Sequence, residues 1–520
     1  MTQPTHQDPT TARAGRKEWT AFVVLLLPLL LVSMDVSVLF FAIPSIAREL
    51  HPSSTQQLWI FDIYAFALAG LLITMGSLGD RIGRRKLLLF GAAAFGVASV
   101  GAAYAQSAGM LIAARAVLGV GGATLMPSTM ALIRNMFTDT KQRSKAVGIW
   151  SGAMAGGIAL GSVLSGVMLE HFWWGSVFLV NVPAMVLLLA LVPFLVPEFK
   201  DPRPGRFDLL SVPLSMGSVL PVIYGVKEMA AHGCTVPMLL CVLAGLAVGT
   251  VFVRRQRSGR PTMISRALFR KRGFGAGITL NALAAFAMMG SAYFTTQYLQ
   301  SVLGMSTMEA ALWSMAPSVA VGFAAPAATA VAQRVKRSSV VAAGFVIAAA
   351  GFVVLNLTGT DSLWLLLAGT AVSSCGIVTV MALVADAALA LVPVDKAGSA
   401  ASLLETGQEF GGAMGMAALG SVGTAVYRAD MPASAPDQAR ETLGEARAVG
   451  GPGLVEQAQQ AFVHGMHFAA AGGAVLLLAG AVLTVALLRE RSRTAGPGAD
   501  THPDPGTDTD AATTPMAPAA

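Results

Sequence analysis

Five carboxylates fall inside long apolar stretches of this 520-residue sequence: Asp35, Asp62, Asp386, Glu405 and Glu409. One base, Arg115, does the same. An acid at membrane depth costs about 2.5–3.5 kcal/mol on insertion scales, so it faces a cavity or a partner and marks function. The chemistry on offer is proton carriage, since a carboxyl stays neutral when buried and ionises when wetted. Asp35 lies deep in the first stretch and is the leading proton-coupling residue; the bland alternative is a helix–helix hydrogen bond. Glu405 and Glu409 are four apart and share a helical face. They would titrate as a coupled pair, serving as a proton or cation site, while Gly407, Gly411 and Gly415 occupy the opposite face for packing. Glu405 lies near the cytoplasmic end, so simple wetting also accounts for it, and Asp386 is close to that end too. Asp62 shares its face with Trp59 and Phe66, and an acid beside aromatic rings attracts lipophilic cations. Arg115 is expected to pair with backbone carbonyls or an acid. Met289 and Tyr293, with their neighbours Met288 and Phe294, offer an adaptable cavity wall, although methionines also serve as packing.

The elements that must hold these groups follow from composition. Hydrophobic residues make up 54% of the chain and charged residues 12%, against roughly 25% charged in ordinary soluble proteins. There is too little charge to clothe soluble domains, which excludes a soluble enzyme, a fibre or a mostly disordered chain. Fourteen apolar runs, from 20–43 to 464–488, are each about as long as a membrane span. At such lengths helices alone satisfy the backbone in lipid. Lys and Arg test the count. With the N-terminus inside, 29 of the 35 fall in inside segments and five outside, Lys227 among the latter, leaving Arg115 within a span. That bias is the positive-inside pattern. It explains the net charge of +7 without nucleic acid and places both termini in the cytoplasm of a multi-pass cell-membrane protein. The first run carries Asp35 and no cleavage pattern follows it, so it reads as a retained span rather than a signal peptide. The three cysteines form no framework. No metal-ligand cluster and no phosphate-binding loop is present, so no metal, cofactor or ATP drive is expected.

An internal repeat organises the chain. The segment Gly76–Arg85, GSLGDRIGRR, has a degraded echo in 332–337, and the same offset carries the glycine-rich run 157–166 onto 410–419. The expected layout is a cytoplasmic tail (1–19), a six-helix bundle (20–197), an inserted two-helix hairpin with a basic loop (198–273), and a second six-helix bundle (274–490). An outer loop (428–463) lies within the second bundle, and a disordered tail (491–520) follows it.

Gly76, Asp80, Arg81, Gly83, Arg84 and Arg85 resemble the loop 2–3 motif of the major facilitator superfamily. Leu111–Gly122, with Arg115 and Gly119, resembles its span-4 motif. Met34–Pro44 resembles the span-1 motif of the fourteen-span drug:proton antiporters, and Glu49–Gly70 is similar to QacA-like multidrug exporters. The resemblance covers about residues 20–490. It implies an all-α polytopic membrane protein of the major facilitator fold with 14 transmembrane helices (6+2+6), not an enzyme. The implied activity is efflux of lipophilic, cationic drugs, dyes, antiseptics or antibiotics in exchange for protons, by a monomer. It further implies proton coupling through Asp35, Arg115, Glu405 and Glu409, and a loop motif that latches the outward-open state. Phe40 stands where the span-1 motif usually has Asn, which makes that pocket more aromatic. Gly157, Gly161 and Gly166 match the span-5 packing motif, but Ser162 and Ser165 replace its Pro and one Gly. An importer, or an exporter of one metabolite or self-made antibiotic, remains the alternative.

Overall fold

The computed structural model describes residues 14–200, 210–257, 272–392 and 397–489. The expectations for both tails and most of the basic loop after span 8 fall outside these residues. Every regular element described is helical.

The first six long helices are α1 (Arg16–Leu50), α2 (Ser54–Ile82), α3 (Arg84–Ala103), α4 (Ala108–Met136), α5 (Thr140–His171) and α6 (Ser176–Leu195). Then come α7 (Ser211–His232) and α8 (Val236–Arg257). The rest are α9 (Arg272–Gln297, running into a π-turn at Tyr298–Val302), α10 (Thr307–Ala332), α11 (Arg337–Leu355), α12 (Leu363–Leu389) and α13 (Ala397–Asp430). Two short helices, α14 (Asp437–Glu441) and α15 (Leu443–Val449), precede α16 (Pro452–Arg489). Among the described residues ten helices are long and apolar enough to cross a membrane; α2, bent by 52° between Ser54–Leu72 and Thr74–Ile82, makes an eleventh if counted as one span.

Helix starts follow local chemistry. Ser53 accepts from the Gln56 amide while the Gln56 side chain accepts from the Ser53 amide, and Ser306 and Glu309 repeat this capping box. The packing pattern of α1–α6 recurs in α9–α13 and α16. The pairs α1–α5, α2–α4, α3–α4 and α3–α6 correspond to α9–α13, α10–α12, α11–α12 and α11–α16.

The tightest of these contacts need glycine. A Cβ on Gly157 would lie 2.9 Å from the Leu30 carbonyl oxygen, and one on Gly161 2.9 Å from the Met34 Cα. The expected α5 packing motif therefore seats the stretch of α1 that carries Asp35. Its third member, Gly166, packs instead on Met308 of α10, where a Cβ would lie 3.1 Å from Cα. In the second repeat Gly411 and Gly415 of α13 do the same for α9, with Cβ positions 2.1 and 2.0 Å from the Ala282 and Phe286 oxygens.

The segment expected as a 36-residue outer loop (428–463) is shorter. Helix α13 runs to Asp430 and α16 begins at Pro452. Pro suits a first helical position, and the turns after it carry Glu456, Gln457 and Gln459, so an apolarity count misses them. What remains folds as a cap. Glu441 accepts from the Ser54 amide (3.0 Å) and hydroxyl (2.9 Å) and pairs with Arg428. His51 meets Glu445 at 2.8 Å, and the Tyr427 hydroxyl donates to the Ala439 carbonyl. The cap thus ties the ends of α1 and α2 to α13. At this same end Leu58 packs on Gly420 and Met308 on Gly166.

Candidate functional site

Asp35 of α1 and Arg115 of α4 form a buried ion pair, each 2% exposed at its side chain. Arg115 also donates from Nε to the Ile60 carbonyl at 3.1 Å, and its guanidinium lies 4.5 Å from the centre of the Tyr64 ring. One arginine therefore ties three helices together. Helix α4 comes this close because Gly119 lies one turn on: a Cβ there would sit 2.5 Å from the Tyr64 carbonyl oxygen. The alternatives left open for Arg115, backbone carbonyls or an acid, are both realised.

Glu405 and Glu409 lie on α13, part-buried, and interact electrostatically with one another. Among the described residues no base pairs with either. Glu409 also acts on Tyr64, the ring beneath Arg115. Glu409 thus reaches, through space, the ring that carries the Arg115 guanidinium. Gly411 and Gly415 lock onto α9, but Gly407 meets only the Ile278 side chain closely.

The expected substrate residues separate into two groups. Phe40 stacks on Phe61 (centroids 5.1 Å apart), and Phe61 meets Tyr293 edge-on at 5.7 Å. The Tyr293 hydroxyl accepts from Gln57 at 3.4 Å. Met289 lies against Gly412 of α13. A cavity of about 50 Å³ lies between this group and the cap, lined by Ser54, Gln57, Tyr293, Gln297, Tyr427 and Glu441 among others. That is room for a few waters, not for a drug-sized molecule.

Trp59, Asp62 and Phe66 point elsewhere, to a site that a base of the protein itself occupies. Asp62 is 1% exposed and forms an ion pair with Lys227 of α7, whose ammonium lies 4.7 Å over the Trp59 ring. The acid is not open to a vestibule. Arg115 is also not the sole buried base, and Lys227 is not an outer-loop residue: α7 extends six residues past the expected span end (208–226), carrying Lys227 inward. Phe66 packs with Ile223 of α7 and with Ala413 and Ala417 of α13. Asp386 is corrected as well. It is 67% exposed and pairs with Arg337 at 2.9 Å, beyond the apolar interior.

The loop motif folds as a clamp. Gly76 abuts Pro127 of α4. Arg81 lies in the last turn of α2, and Asp80 binds Arg84 one turn on. Gly83 has φ +112°, and a Cβ would lie 2.6 Å from the Glu198 carboxyl, so only glycine fits. Gly83 offers no side-chain cap to α3. Glu198 supplies one, accepting from the Arg85 and Lys86 amides at 2.9 and 3.2 Å. Arg85 in turn donates to the Pro193 and Val196 carbonyls at the end of α6, where a cation is favoured. His464 pairs with Asp430.

Lys227, Glu198 and Glu441 were not singled out from the sequence. A lone base one residue beyond an apolar run, as at Lys227, was the available signal for the first. The other two cap helix starts distant in sequence, which no local pattern reveals.

Comparison with known proteins fits this architecture. The family model described as Major Facilitator Superfamily matches residues 25–416. The chain belongs to the major facilitator superfamily. It is a multi-pass membrane transporter, not an enzyme. Among relatives of this superfamily, the multidrug efflux pump LfrA of Mycolicibacterium smegmatis is 41% identical over 91% of this chain and 97% of its own. The methyl viologen resistance protein SmvA of Salmonella typhimurium is 31% identical over 89% and 97%. Among solved structures, a bacterial homolog of the human lysosomal transporter Spinster, inward-facing and unoccupied, superposes with a TM-score of 0.66 at 17% identity. It covers 93% of this chain and 99% of its own. That likeness concerns the major facilitator fold.

Proposed function

We propose that the protein is a drug efflux transporter driven by proton exchange, working by alternating access in the cell membrane with both termini in the cytoplasm. The observation that carries this is the arrangement of two kinds of acid. One, Asp35, is neutralised by Arg115 and buried. The others, Glu405 and Glu409, have no basic partner among the described residues, and Glu409 acts on Tyr64, the ring against Arg115. A proton delivered to the α13 acids changes the field felt by the Asp35–Arg115 pair, and that pair links α1, α2 and α4. The 41% identical relative is a multidrug efflux pump, which supports the efflux direction and a drug as substrate.

We read fourteen spans, the bent α2 as one and α7, α8 and α13 added to the ten. Helix α13 is diluted by glycine as well as carrying Glu405 and Glu409, and the apolar part of α8 is short (Val236–Phe252). The spans form two six-helix bundles (20–197 and 274–490) and an inserted hairpin (198–273). The cap faces outside and the Gly76–Arg85 clamp faces the cytoplasm. We take the cap, with the helices in contact beneath it, as a sealed outer end. Protons, a lipophilic small molecule and the bilayer are the partners; a monomer suffices, with no nucleic acid involved.

Ethidium uptake into everted vesicles under an imposed pH gradient, with Asp35→Asn as control, tests the proposal. Substrate should trigger proton release from the wild type and none from the variant. If none of a dye, a biocide and an antibiotic triggers proton release, antiport is wrong.

A further inference from the structure

We propose that Lys227 is a tethered cation filling the Asp62–Trp59 site, and that a lipophilic organic cation binds there only by displacing it. Lys227 is thereby the residue that sets the charge preference of transport. The proposal rests on the efflux reading and deepens it.

The site already holds what an organic cation needs. A carboxylate and an indole face converge on one point, the carboxylate buried and the indole part-buried. An ammonium of the protein's own occupies that point, so the site's affinity for cations is spent internally. The fit is imperfect in an informative way. An ammonium has three donors, and beyond the ionic contact with Asp62, Nζ has no hydrogen-bond partner among the described residues. A phosphonium or quaternary ammonium carries no N–H. It can take over the contact with Asp62 and the ring face of Trp59 without leaving donors stranded. The chemistry therefore favours exchange by lipophilic cations that lack N–H groups.

The surroundings allow the exchange. Lys227 is a single flexible side chain on α7, which packs against both α2 and α13 and so lies over the seam between the two helix sets. Ile223, one turn back on the same face, sits among Phe66, Ala413 and Ala417, so the emptied site has apolar walls. Tyr224, beside Trp59 with ring centroids 6.4 Å apart, is 45% exposed. The site is thus about one side chain deep from the outer face of the helices. Arg115 contrasts with this. It is also held by the Ile60 carbonyl and the Tyr64 ring, and has no comparable freedom.

Equilibrium binding of tetraphenylphosphonium to purified protein in lipid nanodiscs provides the test. A cation competing with Lys227 sees only the fraction of sites it leaves free. If that fraction is a tenth or less, removing the competitor tightens binding about tenfold or more. Lys227→Met should show that gain relative to neutral Nile red, and adding Asp62→Asn should abolish it. Unchanged tetraphenylphosphonium binding in Lys227→Met overturns the proposal, as does a gain that survives Asp62→Asn. If Lys227→Met folds poorly because Asp62 is left bare, recovery of monodisperse protein becomes the readout. Recovery restored by tetraphenylphosphonium supports the proposal. Recovery restored only by Asp62→Asn assigns the pair to structure and overturns it. Wild-type efflux of ethidium, measured separately, reports on the efflux reading alone.

Discussion

The two buried ion pairs put opposite demands on mutation. Removing one member of a buried pair leaves a bare charge and costs about 3–5 kcal/mol, whereas removing both is far milder. Arg115→Ala should therefore lower the thermal denaturation midpoint in detergent strongly. Arg115→Gln combined with Asp35→Asn should recover most of that loss while still failing to couple. Recovery of coupled transport by the double variant would show that the pair serves only to hold helices. For Glu405 and Glu409 the expectation differs. Neither has a basic partner among the described residues, so Glu409→Gln should leave the melting midpoint within about 0.5 kcal/mol of wild type yet slow proton-coupled dye efflux by tenfold or more. Chemical denaturation and vesicle transport, run on the same preparation, separate the two effects. At this scale the sequence disclosed the acids and Arg115, because charge in an apolar run stands out. It did not disclose that Asp62 was already matched, because the partner lies 165 positions along the chain, just past the apolar stretch of another helix.

At the scale of helices, the repeats differ in what the shared packing presents. Gly157 and Gly161 of α5 seat Leu30 and Met34 of α1, and Gly411 and Gly415 of α13 seat Ala282 and Phe286 of α9. By that registration the α9 counterpart of Asp35 is Ala287, and the α5 counterparts of Glu405 and Glu409 are Ser151 and Ala155. One repeat keeps a fixed ion pair; the other keeps the acids that lack one. The glycine contacts are close enough to predict cost. Gly415→Ala places a methyl 2.0 Å from a carbonyl oxygen, and overpacking of this kind costs typically about 1–3 kcal/mol. Gly407→Ala meets only the Ile278 side chain at 2.8 Å and should cost less. A Gly415→Ala midpoint no lower than that of Gly407→Ala would refute the close-packed account of α13. The glycine spacing was legible in the sequence. That Gly166 would leave α1 and reach α10 was not, since one stripe gives no sign of where its partner helix ends.

For the molecule as a whole, the cap is where the two helix sets are fastened. Glu441 holds Ser54 of α2 and Arg428 of α13 at once. Glu441→Ala should free the cap end, seen as faster maleimide labelling of Ser54→Cys in intact cells and, at steady state, a larger share of molecules open to the outside. Labelling no faster than in the Ser54→Cys parent would mean that the apolar contacts at Leu58 and Met308 hold that end closed without it. The apolar runs made the all-helical, multi-pass character of the chain legible in advance. The cap escaped them because a polar, helix-permissive segment looks the same whether it folds onto its neighbours or trails in water.

The Lys227–Asp62 contact also limits how the chain can be shortened. Excising residues 198–273 would remove α7 and α8 and leave the two repeated helix sets in place. The cut would strip Asp62 of its counter-ion and uncover the Trp59–Phe66 strip at one stroke. A viable minimal transporter made from this chain must therefore be re-engineered on α2, a helix the deletion never touches.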